Sequence, residues 1–198
     1  MRLLCVRTAM MAWLLSVAAL SGDGAMGHAD TIADHVVDMS SWSATRIAAY
    51  RKRVPLQQKP EAMLRIPSVG LVVPVFAGTS PEILDQAAGR IERTSPFGAS
   101  GNTGIAAHRD GFFRVLRDVK VGDVLQVDLP EATVSYRIVS TRVVDPSETS
   151  VLRATAEPTI TLVTCYPFYF AGSAPQRFIV RAMRAPNAEE IRLSRARD

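Results

Sequence analysis

The stretch TLVTCYPF at residues 161–168 is the most informative feature of this sequence. Its first four residues are apolar or β-branched, a composition typical of a β-strand. Cys165 ends that strand, and it is one of only two cysteines in the sequence, the other being Cys5. A thiol at a strand boundary is a candidate nucleophile, because the thiolate is the attacking form of cysteine.

Two more reactive side chains lie at other strand boundaries. His108 follows the mainly apolar segment 104–107, and Arg177 opens a further apolar run at 178–183. If the strands on either side of the 166–176 loop pair antiparallel, Cys165 and Arg177 lie close together. Bringing His108 to the same place depends on the fold and not on local spacing.

A thiol, an imidazole and a guanidinium are the groups needed for acyl transfer through a thioester. Cys165 would attack a peptide carbonyl, and His108 would protonate the departing amine and deprotonate the incoming one. Arg177 would hold the oxyanion or the substrate backbone, because arginine stays charged and presents a fixed fork of donors. Singly, each residue also fits an ordinary structural role: a small buried side chain, a strand-capping histidine or a surface arginine. The joint pattern favours a cysteine transpeptidase.

The composition is that of a globular protein. The chain has 198 residues, 47% hydrophobic and 21% charged, enough for one domain with a core and terminal extensions. The net charge of +4 comes from scattered arginines. The densest basic cluster, at 46–53, has apolar residues at helical spacing, which indicates an amphipathic helix and not a nucleic-acid-binding arm.

The N-terminal segment 1–21 carries targeting information. A basic region at Arg2 and Arg7 precedes an almost wholly apolar stretch at 8–20, the pattern of a signal peptide or a retained signal anchor. We therefore expect the remainder to be exported, on the outer (periplasmic or extracytoplasmic) face of the cytoplasmic membrane. Cys5 belongs to this segment, so the exported part has Cys165 alone and no internal disulfide.

The rest of the chain divides into three regions. A linker and a helix at 22–60 precede a catalytic domain at 61–184 and a mobile tail at 185–198. Ser40 or Ser41 is expected to cap the N-terminal helix, and Gly89 to follow a short helix that begins after Ser80. Helical turns are also expected at 112–116 and 146–152, and strands at 62–66, 69–76, 124–129, 134–144, 159–164 and 178–183, with one more that ends at His108.

These motifs resemble those of sortases. The Thr-Leu-x-Thr-Cys signature of that family stands at 161–165, with an arginine 12 positions later. The strand-ending histidine follows GNTGIA at 101–106. The match runs from about Trp42 to Met183. The contexts HRDGFF at 108–113 and CYPF at 165–168 are most similar to class D sortases, including those of Gram-negative bacteria.

The resemblance implies an all-β fold, an eight-stranded sortase-type β-barrel with short helices and an N-terminal helical extension. It also implies cleavage of a C-terminal sorting signal of the Leu-Pro-x-Thr-Gly/Ala type, a thioester acyl-enzyme, and transfer to an amine. By residue match, Cys165 is the nucleophile, His108 the general acid/base and Arg177 the oxyanion or substrate stabiliser.

Further residues are expected to contact the substrate: Thr164, Tyr166, Phe168 and Ala107. The aromatic loop at 166–170 either forms an apolar wall for the Leu-Pro part of the signal or packs onto the barrel. Two positions depart from the family pattern, since Ala107 replaces a glycine common before the histidine, and Arg90 stands where a histidine commonly follows glycine. These departures bear on substrate preference more than on chemistry.

The expected partners are an exported substrate protein with a sorting signal, an amine acceptor, and the membrane through segment 1–21. No cofactor, metal or nucleic acid is expected, and the two histidines besides His108 lie in the linker. Asp145 and Glu148 lie in one turn and could hold calcium, although two carboxylates are a weak signal.

Three alternatives share part of this pattern. An L,D-transpeptidase also uses cysteine, histidine and arginine, but its arginine follows the cysteine by two residues in a Ser-His-Gly-Cys context, unlike the spacing here. A purely hydrolytic cysteine peptidase would resolve the thioester with water. A non-catalytic exported binding module would keep the barrel without an activated thiol.

Overall fold

The computed structural model describes residues 37–169 and 172–186. Its strands are β1 (Ala62–Ile66), β2 (Leu71–Ala77), β3 (Ala88–Arg90), β4 (Asn102–Ala106), β5 (Val124–Asp128), β6 (Thr133–Val144), β7 (Thr159–Tyr166) and β8 (Gln176–Arg184). They close into a barrel in the order β1-β2-β3-β4-β7-β8-β6-β5, which confirms the predicted eight-stranded architecture. The helical elements are α1 (Ala44–Arg51), α2 (Pro81–Leu84) and 3-10 turns at Pro67–Val69, Phe112–Asp118 and Thr149–Leu152.

The barrel interior is filled by alternate side chains of the strands. In β7, Ile160 and Leu162 are fully buried, whereas Val163 and Cys165 are half-buried on the outer face. The 3-10 turn after β4 contributes Phe113, which is also fully buried. Burying an apolar side chain of this size contributes about 1.5–3 kcal/mol, so these residues hold the strand ends in place.

The parallel pairing of β4 with β7 brings two distant parts of the chain to one edge of the barrel. Ala106 pairs with Val163, and both strands run in the same direction at this point. His108 and Cys165 each lie two residues beyond that pair. The non-local pairing therefore places the predicted acid/base beside the predicted nucleophile.

Helix α1 is attached to the barrel by a cluster of three aromatic rings. Trp42 packs edge-on against Phe112 and Tyr50, with ring centroids 4.7 and 5.2 Å apart, and all three rings are buried. The helix is capped by Ser43, whose Oγ accepts a hydrogen bond from the backbone N–H of Arg46. The predicted caps, Ser40 and Ser41, are therefore wrong.

Two glycines explain where the strands differ from prediction. The predicted strand at 69–76 begins at Leu71, because Gly70 adopts a left-handed conformation (φ 65°) after a 3-10 turn. Strand β3 was not predicted, since Gly89 was interpreted as the end of a helix. A Cβ at Gly89 would lie 2.1 Å from the carbonyl oxygen of Gly78, so this glycine permits a close approach of two backbones within the sheet.

Parts of three predicted regions lie outside the described residues. They are the signal segment 1–21, the linker up to residue 36, and the tail beyond residue 186. Among the residues that are described, no helix is long and apolar enough to cross a membrane.

Candidate active site

Cys165 and Arg177 lie opposite each other in the antiparallel pair of β7 and β8. Directly opposite residues of such a pair point to the same face of the sheet, which here is the outer face. The thiol of Cys165 is free and half-buried. Arg177 donates from Nη1 to the carbonyl oxygens of Gln176 and Ala174, at 3.0 and 3.3 Å. The predicted pairing of these two strand ends is confirmed.

His108 follows β4 and lines the same cleft as Cys165. Its Nε2 is 3.5 Å from Oδ1 of Asp85. The pKa of His108 is lowered from its ordinary value, first because burial disfavours the imidazolium, and second because the Arg46 guanidinium is close. The carboxylates of Asp110 and Asp85 oppose this shift only in part. The site therefore favours the neutral imidazole more than bulk water does.

The cleft that His108 and Cys165 line has a volume of about 630 Å³. This lies within the usual range for ligand sites, roughly 300–1,000 Å³. One wall is polar and comes from α1 and the turn after β4, whereas the opposite wall is the loop between β7 and β8. Its lining includes Ser43, Arg46, His108, Cys165, Phe168 and Tyr169.

Thr164 and Ala107, two of the predicted substrate contacts, are both buried. The hydroxyl of Thr164 donates to the carbonyl oxygen of Ala107 at 2.8 Å. The bond joins the residues immediately before Cys165 and His108, so it ties the reactive ends of β7 and β4 together. Direct contact of Thr164 or Ala107 with substrate stays a prediction.

The aromatic loop packs onto the barrel through two of its rings, and its use as a wall for the Leu-Pro part of the signal stays a prediction. Tyr166 and Phe168 pack with Phe178 of β8, with ring centroids 5.2 to 6.3 Å apart, and so attach the loop to the barrel. Phe168 also borders the cleft, although it is only 6% exposed. Tyr169 lies at the cleft rim and is 72% exposed. Phe170 lies outside the described residues.

Arg90, the second departure from the family pattern, takes part in an ion pair. Its Nε and Nη2 donate to the two carboxylate oxygens of Glu61 at 2.6 and 2.9 Å. Such a two-pronged pair is the geometry in which arginine binds carboxylates most strongly. Arg90 therefore joins β3 to the residue that precedes β1.

Sequence analysis missed Asn102, which is 1% exposed and holds the loop between β6 and β7. Its Nδ2 donates to the carbonyl oxygens of Val151 and Arg153 at 2.9 and 3.1 Å, and its Oδ1 accepts from the Thr161 hydroxyl at 2.7 Å. The amide thus fixes that loop over the outer face of β4 and β7. A polar residue at the start of an apolar strand was the available signal.

The Asp145 and Glu148 carboxylates serve as caps within their own turn. Asp145 accepts from the backbone N–H and hydroxyl of Ser147 at 2.9 and 2.6 Å, and Glu148 accepts from the backbone N–H of Ser150 at 3.1 Å. Among residues 37–169 and 172–186, no group of three or more histidine, cysteine or acidic side chains is arranged to hold a metal.

A family model of the sortase domain matches residues 64–185. This chain belongs to the sortase family. Sortases are generally cysteine transpeptidases that act outside the cytoplasm on sorting signals and amine acceptors. The matched segment of this sortase contains nearly the whole barrel, whereas α1 lies before it.

The sortase is similar to class D members, as its motifs predicted. It is 32% identical over 132 residues to Sortase D of Bacillus subtilis (strain 168), an alignment that covers 64% of this chain and 67% of the relative. The Sortase D5 transpeptidase of Clostridium perfringens has a TM-score of 0.59 and 25% identity, with 73% of this chain and 90% of that chain covered. Sortase C1 of Streptococcus agalactiae gives a TM-score of 0.61 and 26% identity, with 73% and 78% covered.

Proposed function

We propose that this sortase cleaves a C-terminal sorting signal of the Leu-Pro-x-Thr-Gly/Ala type on exported proteins and transfers the new acyl end to an amine. The observation that supports this most is the arrangement around Cys165. The thiol shares one cleft with His108 and stands opposite Arg177 on the next strand. Segment 1–21 would deliver the enzyme to the outer face of the membrane or tether it there.

The first half of the reaction forms the acyl-enzyme. The thiolate of Cys165 attacks the threonine carbonyl carbon, and a C–S bond forms as the C–N bond to glycine or alanine breaks. The imidazolium of His108 gives its proton to the departing amine. That proton is the one released when the Cys165 thiol becomes the thiolate, so this step needs no proton from outside the pair.

The second half releases the product. The acceptor amine attacks the thioester carbonyl and loses a proton to His108, while the C–S bond breaks and the Cys165 thiolate leaves. Arg177 stabilises the negative oxygen that forms in both halves. In the free protein its guanidinium donates to carbonyl oxygens of the 174–176 segment, and substrate binding would exchange these bonds for bonds to the oxyanion.

The outer face of β4 and β7 is the proposed track for the sorting signal. Val163 lies on this face two residues before Cys165, and the loop held by Asn102 forms one side of the track. At Gly104 a Cβ would meet the Leu152 side chain of that loop at 2.8 Å, so the loop approaches the strand closely. Phe168 and Tyr169 would border the site on the other side of the cleft.

Product analysis with a Leu-Pro-x-Thr-Gly peptide and a glycine peptide as acceptor tests this proposal. A peptide joined through threonine to the acceptor is expected, with no product from Cys165→Ala. Release of the free threonine acid alone, even at saturating acceptor, would indicate a hydrolytic peptidase. No cleavage combined with an ordinary thiol-labelling rate would indicate a binding module.

A further inference from the structure

The guanidinium of Arg46 lies between two carboxylates beside His108. Arg46 donates from Nη1 to Oδ1 of Asp85 at 2.5 Å and from Nε to Oδ1 of Asp110 at 3.2 Å. Its side chain is only 15% exposed. One residue of α1 thus joins three parts of the fold: its own helix, the residue after α2, and the turn that carries His108.

Both carboxylates act on the histidine. The Asp85 oxygen that accepts from Arg46 is also the one 3.5 Å from Nε2 of His108. Asp110 lies two residues after His108 and receives a second bond from α1, because the Ser43 hydroxyl donates to its Oδ2 at 3.1 Å. The backbone N–H of Ser43 donates to the Asp110 carbonyl oxygen at 3.1 Å. Hydrogen bonds from the start of α1 therefore hold the 108–110 turn in place.

Close packing at Gly111 completes this contact. A Cβ there would lie 3.3 Å from Cγ of Arg46 and 3.9 Å from Cβ of His108. A side chain at this position would make a tight contact with the arginine stem, which would have to shift by a few tenths of an ångström. The absence of a side chain at Gly111 lets Arg46 reach both carboxylates while it packs against the backbone next to the histidine.

We propose that Arg46 is a positioning residue for His108, acting through Asp85 and Asp110, so that α1 is a working part of the catalytic site. This rests on the proposed role of His108 as the general acid/base. Helix α1 lies outside the segment that matches the sortase domain. Within the described residues, its Arg46 is nevertheless the only arginine that forms ion pairs with both Asp85 and Asp110.

The charges around His108 give the proposal a definite sign. Arg46 faces it from α1, Asp85 from the end of α2, and Asp110 from its own turn, while Cys165 lies across the cleft. Arg109 is adjacent but donates to the carbonyl oxygen of Gly172 at 2.8 Å. Loss of Arg46 leaves two carboxylates without their cation and favours the imidazolium, whereas loss of the Asp85 charge disfavours it.

Titration of His108 by NMR in the full chain tests this without any turnover. The signal is assigned with His108→Gln. We expect the His108 pKa to rise in Arg46→Gln and to fall in Asp85→Asn. Arg51→Gln removes the same charge from an exposed site on the same helix and is expected to leave the pKa unchanged.

The matched kinetic experiment measures kcat and KM for peptide cleavage. In Arg46→Gln we expect kcat to fall by roughly tenfold to a hundredfold, because small displacements of a catalytic group have effects of this size. KM should change little, since the peptide track is intact. Arg46→Lys keeps the charge but cannot donate to both carboxylates as the planar guanidinium does. Its His108 pKa should therefore be close to that of the wild type, whereas its kcat should recover only in part.

An unchanged His108 pKa in both Arg46→Gln and Asp85→Asn would overturn the proposal, as would an equal shift in Arg51→Gln. If Arg46→Gln detaches α1, seen as loss of NMR contacts between Trp42 and Phe112, Arg46→Lys tests the arginine instead, because it keeps the charge; a wild-type kcat in that variant would contradict the positioning role. Asp85→Asn tests the Asp85 contact separately, since Asp85 is 47% exposed and its loss costs little packing. The His108 pKa could shift as expected in the variants while the wild-type protein cleaves no sorting-signal peptide. That result would contradict the proposed function and leave the effect of Arg46 on His108 established.

Discussion

The Thr164 hydroxyl and the Ala107 carbonyl oxygen form a buried hydrogen bond of 2.8 Å at the edge of the barrel. Cys165 immediately follows Thr164 along the chain, and His108 immediately follows Ala107. A further bond joins the two segments here, since the Ala107 N–H donates to the Val163 carbonyl oxygen at 3.4 Å. The threonine hydroxyl thus helps to set the distance between the two reactive side chains.

Thr164→Val keeps the shape of the side chain and removes this bond. We expect the free energy of unfolding to fall by about 1–3 kcal/mol, because a buried carbonyl oxygen loses its partner. Catalysis should weaken as well, since the ends of β4 and β7 become free to separate. Urea unfolding and peptide cleavage kinetics measure the two effects. Thr164→Ser retains the donor and should stay closer to the wild type, and an unimpaired kcat in Thr164→Val would contradict the role given to the bond.

Arg177→Ala is expected to lower kcat by roughly 10²- to 10³-fold, the usual effect of losing one oxyanion donor. Arg181→Ala is the control, because Arg181 lies four residues along the same strand and its Cα pairs with Thr161 instead of Cys165. Steady-state kinetics on the same peptide compare the two variants. Full activity in Arg177→Ala, or an equal loss in both, would remove Arg177 from the mechanism.

The pH dependence of kcat/KM should reflect the environment of His108. Activity should fall at low pH as His108 becomes protonated, because the imidazolium cannot take a proton from the Cys165 thiol or from the incoming amine. Because burial and Arg46 lower the pKa of His108, the acid limb is expected below the ordinary histidine value of about 6.5. A profile from acidic to alkaline pH checks this, and an acid limb above that value would contradict the assignment.

Asn102→Ala should loosen the loop that borders the proposed substrate track. The variant leaves the Val151 and Arg153 carbonyl oxygens without their donor, at a cost of about 1–3 kcal/mol. We expect KM to rise several-fold and loop amides at 145–158 to exchange faster, with kcat little affected. Asn102→Asp keeps the acceptor for Thr161 but not the donors, so it should behave similarly. Unchanged exchange in both variants would show that the loop is held by other contacts.

Much of the fold could be predicted from local sequence signals. Strand β1 was predicted with its bounds, and β5 to β8 within a few residues, because turn residues separate β-branched runs. Strand β3 was not predicted because it has only three residues, Ala88 to Arg90, and no alternating pattern. Its pairing partners and the close approach at Gly89 exist only in the folded barrel.

The candidate site was predictable only where its residues are linked locally. Because β7 and β8 follow each other along the chain, their antiparallel pairing and the approach of Cys165 and Arg177 could be predicted. The place of His108 depends on the parallel β4–β7 pair, which no local pattern reveals. Arg46 contacts residues 39 and 64 positions away, and in the sequence it looks like one more charge on an exposed helix face.

Intact-mass spectrometry of the full chain mixed with a Leu-Pro-x-Thr-Gly peptide tests the central claim most directly. We predict an adduct equal to the acyl fragment that ends in threonine, located on Cys165, absent from Cys165→Ala and discharged by added amine. An adduct on another residue, or peptide cleavage in Cys165→Ala, would contradict the account. So would the absence of both adduct and cleavage across a set of such peptides.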